Sequence, residues 1–202
     1  MKILVACEFS GVVREAFRKR GHEAYSNDLL PADDCSPYHI QGDCRDAIAS
    51  ERWDLIIMHP PCTALAVSGN RWYGLGMPKH QERLEAIRWT VRLFETAKDH
   101  ADKVAMENPV GVLPMKPTQY IQPWQFGHGE TKKTGLWLHN LPPLKPTNIV
   151  EGREQRIWKL PPTADRWKIR STTYQGIADA MAAQWTGLGE ERQDEHKNLP
   201  AL

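Results

Sequence analysis

Short apolar runs alternate with amphipathic stretches through the first half of the chain, and each run stops at a polar cluster. Residues 3–7 are apolar and partly β-branched, as a buried strand requires. Val12, Val13, Ala16 and Phe17 recur at helical spacing between charges within residues 12–20, and Gly21 ends the period. Residues 23–26 read as a second strand running into Asn27-Asp28, and residues 38–41 lead into Gly42-Asp43. Residues 53–58 form a strand pattern that stops at Pro60-Pro61. Residues 79–100 place Leu84, Ile87, Val91, Leu93, Phe94 and Ala97 on a helical stripe, and 103–106 form a further strand before Glu107-Asn108-Pro109.

This order predicts an α/β fold with a mostly parallel, doubly wound sheet. Ligands of such sheets sit beyond the carboxyl ends of the strands. Those ends hold Glu8-Phe9-Ser10-Gly11, Asn27-Asp28, Gly42-Asp43, His59-Pro60-Pro61-Cys62 and Glu107-Asn108, so the polar residues gather where a site belongs. The second half is irregular and proline-rich over residues 109–162, with a strand pattern at 135–138. Ile177, Ala180, Met181 and Trp185 mark a closing helix within 173–185. We expect one domain over residues 1–188, and a polar tail over 189–202 that frays for want of a core-forming pattern.

Composition changes this picture little. With 202 residues, 41% hydrophobic and 25% charged, the chain reads as an ordinary globular protein. No apolar run is long enough to span a membrane, and Glu8 comes too early for a signal peptide. Cys7, Cys35, Cys44 and Cys62 are irregularly spaced without a CxxC pair, which predicts no metal site and no disulfide framework, and a reducing cytoplasm. Charge is more informative in its distribution than in its sum. Residues 115–170 hold ten Lys or Arg against four acids, an excess of +6 in a chain whose net charge is +1. Such a segment is either a face turned toward phosphates or a solvated loop of lysines.

The strand ends suggest chemistry. Gly11, after Phe9-Ser10, permits close backbone approach to a ligand at a helix start, or simply makes a tight turn. Asp28 is placed to accept from a ribose diol and Asp43 from an adenine amine; capping and turn formation are the plainer roles of both. Pro60 and Pro61 fix the backbone ahead of Cys62, holding its thiol rigidly at the sheet edge. A thiol needs help from its surroundings to act as a nucleophile. Glu107 is expected across the same crevice, and a glutamate kept protonated by burial can donate to a ring nitrogen.

Together these residues resemble the DNA cytosine-5 methyltransferase family, as a small member with a reduced target-recognition region. Phe9-Ser10-Gly11, Tyr25-Ser26-Asn27-Asp28 and Gly42-Asp43 resemble its three cofactor motifs, Pro61-Cys62 its nucleophile motif, and Glu107-Asn108 its acid motif. The resemblance runs in order over residues 1–113; beyond that, 126–144 resembles a later strand motif and 172–185 the helix that folds back over the cofactor. It implies a Rossmann-like S-adenosylmethionine-dependent fold, with the cofactor held by Phe9, Ser10, Gly11, Asp28, Asp43 and Pro60. It further implies Cys62, Glu107 and Lys132 as catalytic groups, and Ser68, Arg71, Trp72 and Asn108 as substrate contacts. In the implied mechanism the Cys62 thiolate adds to C6 of cytosine while Glu107 protonates or hydrogen-bonds N3, C5 takes the methyl group, and loss of the C5 proton expels the thiol. Duplex DNA, the expected partner, must flip its base out of the stack.

Departures are visible. Thr63 stands where the family has Gln, and Lys132-Lys133-Thr134 where it has paired arginines, of which only Lys132 is carried over. The recognition segment at 145–170 is short, which implies a short or relaxed sequence context. The alternatives are cytosine-5 methylation of RNA or of a free nucleotide, and an inactive nucleic-acid-binding relic. Amino-methyltransferase chemistry of the Asp/Asn-Pro-Pro-aromatic kind is countered by His59 and Cys62 at the two positions it needs. Among the tryptophans, Trp124, Trp137, Trp158, Trp167 and Trp185 can pack the core or stack on bases.

Overall fold

Strand β1 (Lys2–Ala6) lies in the middle of a seven-stranded sheet, and its last four residues are fully buried because both faces are covered. The computed structural model describes residues 1–187, and the expected tail at 189–202 lies outside the described residues. After β1 come α1 (Val12–Arg18), β2 (Glu23–Asp28), β3 (His39–Gln41), α2 (Cys44–Ala49) and β4 (Trp53–Met58). A 3-10 turn (Val67–Gly69) and α3 (Asn70–Tyr73) precede the long α4 (His80–His100) and β5 (Ala101–Pro109). The second half supplies β6 (Gln119–Ile121), β7 (Thr134–His139), α5 (Arg156–Lys159), α6 (Arg166–Ser171) and α7 (Gln175–Gln184).

The strands lie in the order β3-β2-β1-β4-β5-β7-β6. The first five run parallel, and β7 enters antiparallel to both β5 and β6. This is the doubly wound, Rossmann-like order with one reversed strand inserted near its edge, and its switch point falls between β1 and β4. Strand alternation divides the core. Ile3, Val5, Leu55 and Ile57 face α1 and α7, burying Phe17, Ile177, Met181 and Trp185. Leu4, Ala6, Ile56 and Met58 face α2 and α4, burying Ile48, Leu93, Phe94 and Ala97.

Three elements differ from the sequence pattern. α2 forms over a stretch in which only Cys44, Ala47 and Ile48 are buried, too few for a visible period. β6 is three residues long and exists as a partner of β7. β5 continues past Met106 because β7 keeps pairing after β4 has ended, so Glu107 lies within the strand, opposite Leu136, rather than beyond it.

Candidate active site

The end of β4 and the continuation of β5 lie side by side. Met58 pairs with Met106, so His59 and Glu107 follow at the same level. His59 Nδ1 lies 2.9 Å from Glu107 Oε2, with 9% and 15% of the two side chains exposed. Against the upward pull of burial, His59, Lys132 and the Thr134 hydroxyl hold the Glu107 carboxyl below its ordinary range. These neighbours oppose the burial on which a protonated Glu107 was expected to rest.

Cys62 stands three residues after His59, at the exposed mouth of the pocket. Burial of the thiol and then the Glu107 charge raise its pKa, while Lys132 and Arg170 draw it down. Lys132 thus acts on both groups. Its Nζ donates to the Arg170 carbonyl at the end of α6 (2.9 Å), and its side chain lines a narrow cleft with Glu107, Ile121, Thr134, Thr173 and Tyr174. Asn108 was expected to touch substrate. It is instead buried at 2% exposure, with Nδ2 donating to the Pro60 carbonyl (2.9 Å), because the closeness of β4 and β5 leaves that carbonyl in need of a donor. This tie fixes the His59–Cys62 segment from beneath.

The loop after Cys62 is anchored from α4. Arg83, almost fully buried, donates from Nε to the Ala64 carbonyl (2.7 Å), from Nη1 to Asn70 Oδ1 (2.7 Å) and from Nη2 to the Ala66 carbonyl (3.2 Å). Ser68, Arg71 and Trp72 lie on the outer side of this loop, with Trp72 54% exposed and the Arg71 guanidinium 5.5 Å from its ring.

A second group of strand-end residues lies across β1 and β2. Gly11 adopts φ +71° ahead of α1, and an added Cβ would meet the buried Arg14 guanidinium, so glycine is required by both conformation and space. Glu8, 4% exposed, accepts from the backbone N–H groups of Val13 (2.7 Å) and Arg14 (3.2 Å). The start of α1 is thus filled by a carboxylate whose pKa burial raises. Ser10 completes this turn, its hydroxyl accepting from Val12 N–H at 3.4 Å. Phe9 is buried beneath Trp167 of α6, ring centroids 5.4 Å apart, and the adjacent Lys168 pairs with Asp33 at 3.2 Å. Asp28 accepts from Leu30 N–H through Oδ1 (3.0 Å), its one hydrogen bond through a side-chain oxygen among the described residues, so Oδ2 is available. Asp43 caps α2, and Arg45 engages both its oxygens and lowers its pKa to about 2; the capping role is the one it fills.

The structure therefore brings Cys62, Glu107 and Lys132 together and places Phe9, Ser10, Gly11, Asp28 and Pro60 around the neighbouring strand ends. His59, Glu8, Arg83 and Arg170 were missed as site residues. For His59 a signal existed, since aligned strand ends put it beside Glu107; for Arg83 the helical pattern gave none. Trp137 and Trp185 are core residues, donating to the Met115 (2.9 Å) and Pro142 (3.0 Å) carbonyls. Among the described residues no cluster of His, Cys, Asp and Glu is arranged for a metal ion, and no helix is long and apolar enough to cross a membrane.

No protein-family model matches the chain, and no curated protein matches it significantly. Among solved structures it is similar to the Entamoeba histolytica methyltransferase EhMeth, at 12% identity and TM-score 0.46, over 77% of this chain and 57% of that one. It is also similar to the S. pombe Dnmt2 methyltransferase, at 14% identity and TM-score 0.43, over 79% of this chain and 53% of that one. The chain spans little more than half the length of either.

Proposed function

We propose that the protein transfers a methyl group from S-adenosylmethionine to C5 of cytosine in DNA, through a covalent adduct on Cys62. The observation that supports this reading most is the electrostatic influence of Glu107 and Lys132 on Cys62. The carboxylate raises the thiol's pKa and Lys132 lowers it, with Lys132 acting on both groups. An aromatic C5 is unreactive until a nucleophile has added at C6, and this pair is the equipment such an addition needs.

The residues also fit the donor. Where dinucleotide folds hold a pyrophosphate on the first helix, Glu8 occupies the amides, which suits a nucleoside without phosphate. Asp28 offers a free oxygen to a ribose diol, and the crevice between β1 and β4 opens toward Cys62. When bound, S-adenosylmethionine supplies an electrophilic methyl group. The chain's own residues do the rest. Cys62 attacks from a backbone held by Pro60 and Asn108, Lys132 draws both the thiol and Glu107 toward their charged forms, and Glu107 faces the ring nitrogen.

The test is incorporation of labelled methyl into duplex DNA, RNA and dCMP side by side, with wild type and Cys62→Ala. We expect label in DNA with the wild type and none with Cys62→Ala, at unchanged thermal stability. Label in RNA or dCMP alone would overturn the choice of DNA, and undiminished turnover by Cys62→Ala would overturn the covalent mechanism.

A further inference from the structure

The proposed addition delivers a proton to N3 through Glu107, and that proton must be replenished from a group in contact with the carboxyl. Its neighbours limit the source. The Thr134 hydroxyl is no acid near neutrality, and the Lys132 ammonium already donates to the Arg170 carbonyl. An imidazole is the side chain suited to exchange a proton at such pH. Resting on the cytosine-5 reading, we propose that His59 is the positioning residue of Glu107 and the store of the proton that reaches N3.

The geometry carries this. His59 Nδ1 is 2.9 Å from Glu107 Oε2, inside the pocket wall. Its peptide N–H donates to the Ala6 carbonyl (3.0 Å), and the Asn108–Pro60 tie holds the next residue, so the ring has a fixed base. Nε2 is buried and has no hydrogen-bond partner among the described residues, so Glu107 is the one group to which the ring is bonded. The titratable and charged groups that face the pair are Glu8 from the turn after β1, Lys132 just before β7 and Cys62 beyond β4, with the neutral Thr134 hydroxyl at the start of β7.

The step balances. As the Cys62 Sγ–C6 bond forms, the C5=C6 electron pair moves to C4–C5 and the C4=N3 pair moves onto N3. N3 then takes a proton from Glu107, which takes one from His59 Nδ1, leaving the imidazole neutral. Once C5 has been methylated and has lost its hydrogen as a proton to base, the Sγ–C6 pair leaves with the thiolate, and the N3 proton returns through Glu107 to His59.

The test uses the full chain and an oligonucleotide carrying 5-fluorocytosine, which stalls with Cys62 attached, alongside turnover on ordinary cytosine. His59→Asn keeps an N–H near the Nδ1 position but cannot titrate; His59→Gln is the second variant, and donor binding by calorimetry checks that each is folded. We expect adduct formation and kcat to fall about 100-fold, within the range for proton-transfer groups. KM should stay near wild type, and the alkaline limb of the wild-type kcat profile should be absent. Adding the substitution to Glu107→Gln should cost little more than Glu107→Gln alone. Adduct formation by His59→Asn at the wild-type rate and pH profile would overturn the inference while leaving the cytosine-5 reading intact. Failure of the wild type itself to form an adduct would overturn both.

Discussion

Lys132 is the residue on which the two reacting groups most visibly depend. It lowers the pKa of Glu107 and of Cys62 together, so its loss moves both upward. For the thiol the sign is unfavourable: a higher pKa means less thiolate at a fixed pH. Lys132→Met should raise the Cys62 pKa further and so leave less thiolate at neutral pH. Iodoacetamide labelling of the Cys62 peptide, followed by mass spectrometry across pH, measures this directly. A profile that does not move would show that Lys132 has no hold on the thiol. At this scale the sequence was partly legible. Pro60 and Pro61 announced a rigid Cys62, and the polar end of each strand announced a site. The downward pull on the Glu107 pKa was not legible, because it comes from His59, Lys132 and Thr134, which converge only after β4, β5 and β7 have paired.

At the scale of elements, the loop after Cys62 is held by a helix that the pattern described only as amphipathic. Arginine on a helix reads as a solvated position, yet Arg83 is buried and gives three hydrogen bonds to residues 64–70. Nothing in the spacing along α4 shows this, since the acceptors come from a separate segment of irregular chain. Helix periods and the central strands were legible because burial enforces them. β6 was not, because a three-residue edge strand is defined by its partner rather than by its own pattern. Arg83→Met removes the donors and leaves the Ala64 and Ala66 carbonyls to find water. We expect a loss of about 2 kcal/mol in urea unfolding. Amide exchange across residues 65–74 should quicken beyond that global change. Arg83→Lys should fall between, since an ammonium cannot reproduce the fork. Unchanged exchange in Arg83→Met would mean that the loop is held by other contacts, such as the Val67 N–H to Val110 carbonyl bond of 3.1 Å.

Across the whole molecule, the strand order separates two chemistries and makes them meet. The ends of β1 and β2 carry the acids Glu8 and Asp28 on one side of the switch point, while β7 and β6 lie on the other, and α6 of the basic segment packs over Phe9 and Asp33 on the acidic side. Cys62, four residues past the end of β4, and Glu107, within β5, lie between; under the proposed function a methyl donor approaches from the first side and a polyanion from the second. The excess of +6 within residues 115–170 was visible in the sequence, but a solvated loop explained it equally well; its position beside the pocket, with Lys132 joined to Arg170, favours the phosphate-facing reading. Under the proposed function, affinity for duplex DNA should fall linearly with the logarithm of salt concentration, as counterions are released from each neutralised phosphate. Lys133 and Lys145 are basic residues of this segment that neither line the pocket nor take part in an ion pair among the described residues. Replacing both with alanine should weaken binding similarly on every sequence and reduce the salt slope by up to about two units, one for each lost phosphate contact. Filter binding between about 50 and 200 mM salt resolves a change of that size. An affinity that ignores salt would place the nucleic acid elsewhere on the molecule, and a slope that survives both substitutions would move the phosphate track away from β7.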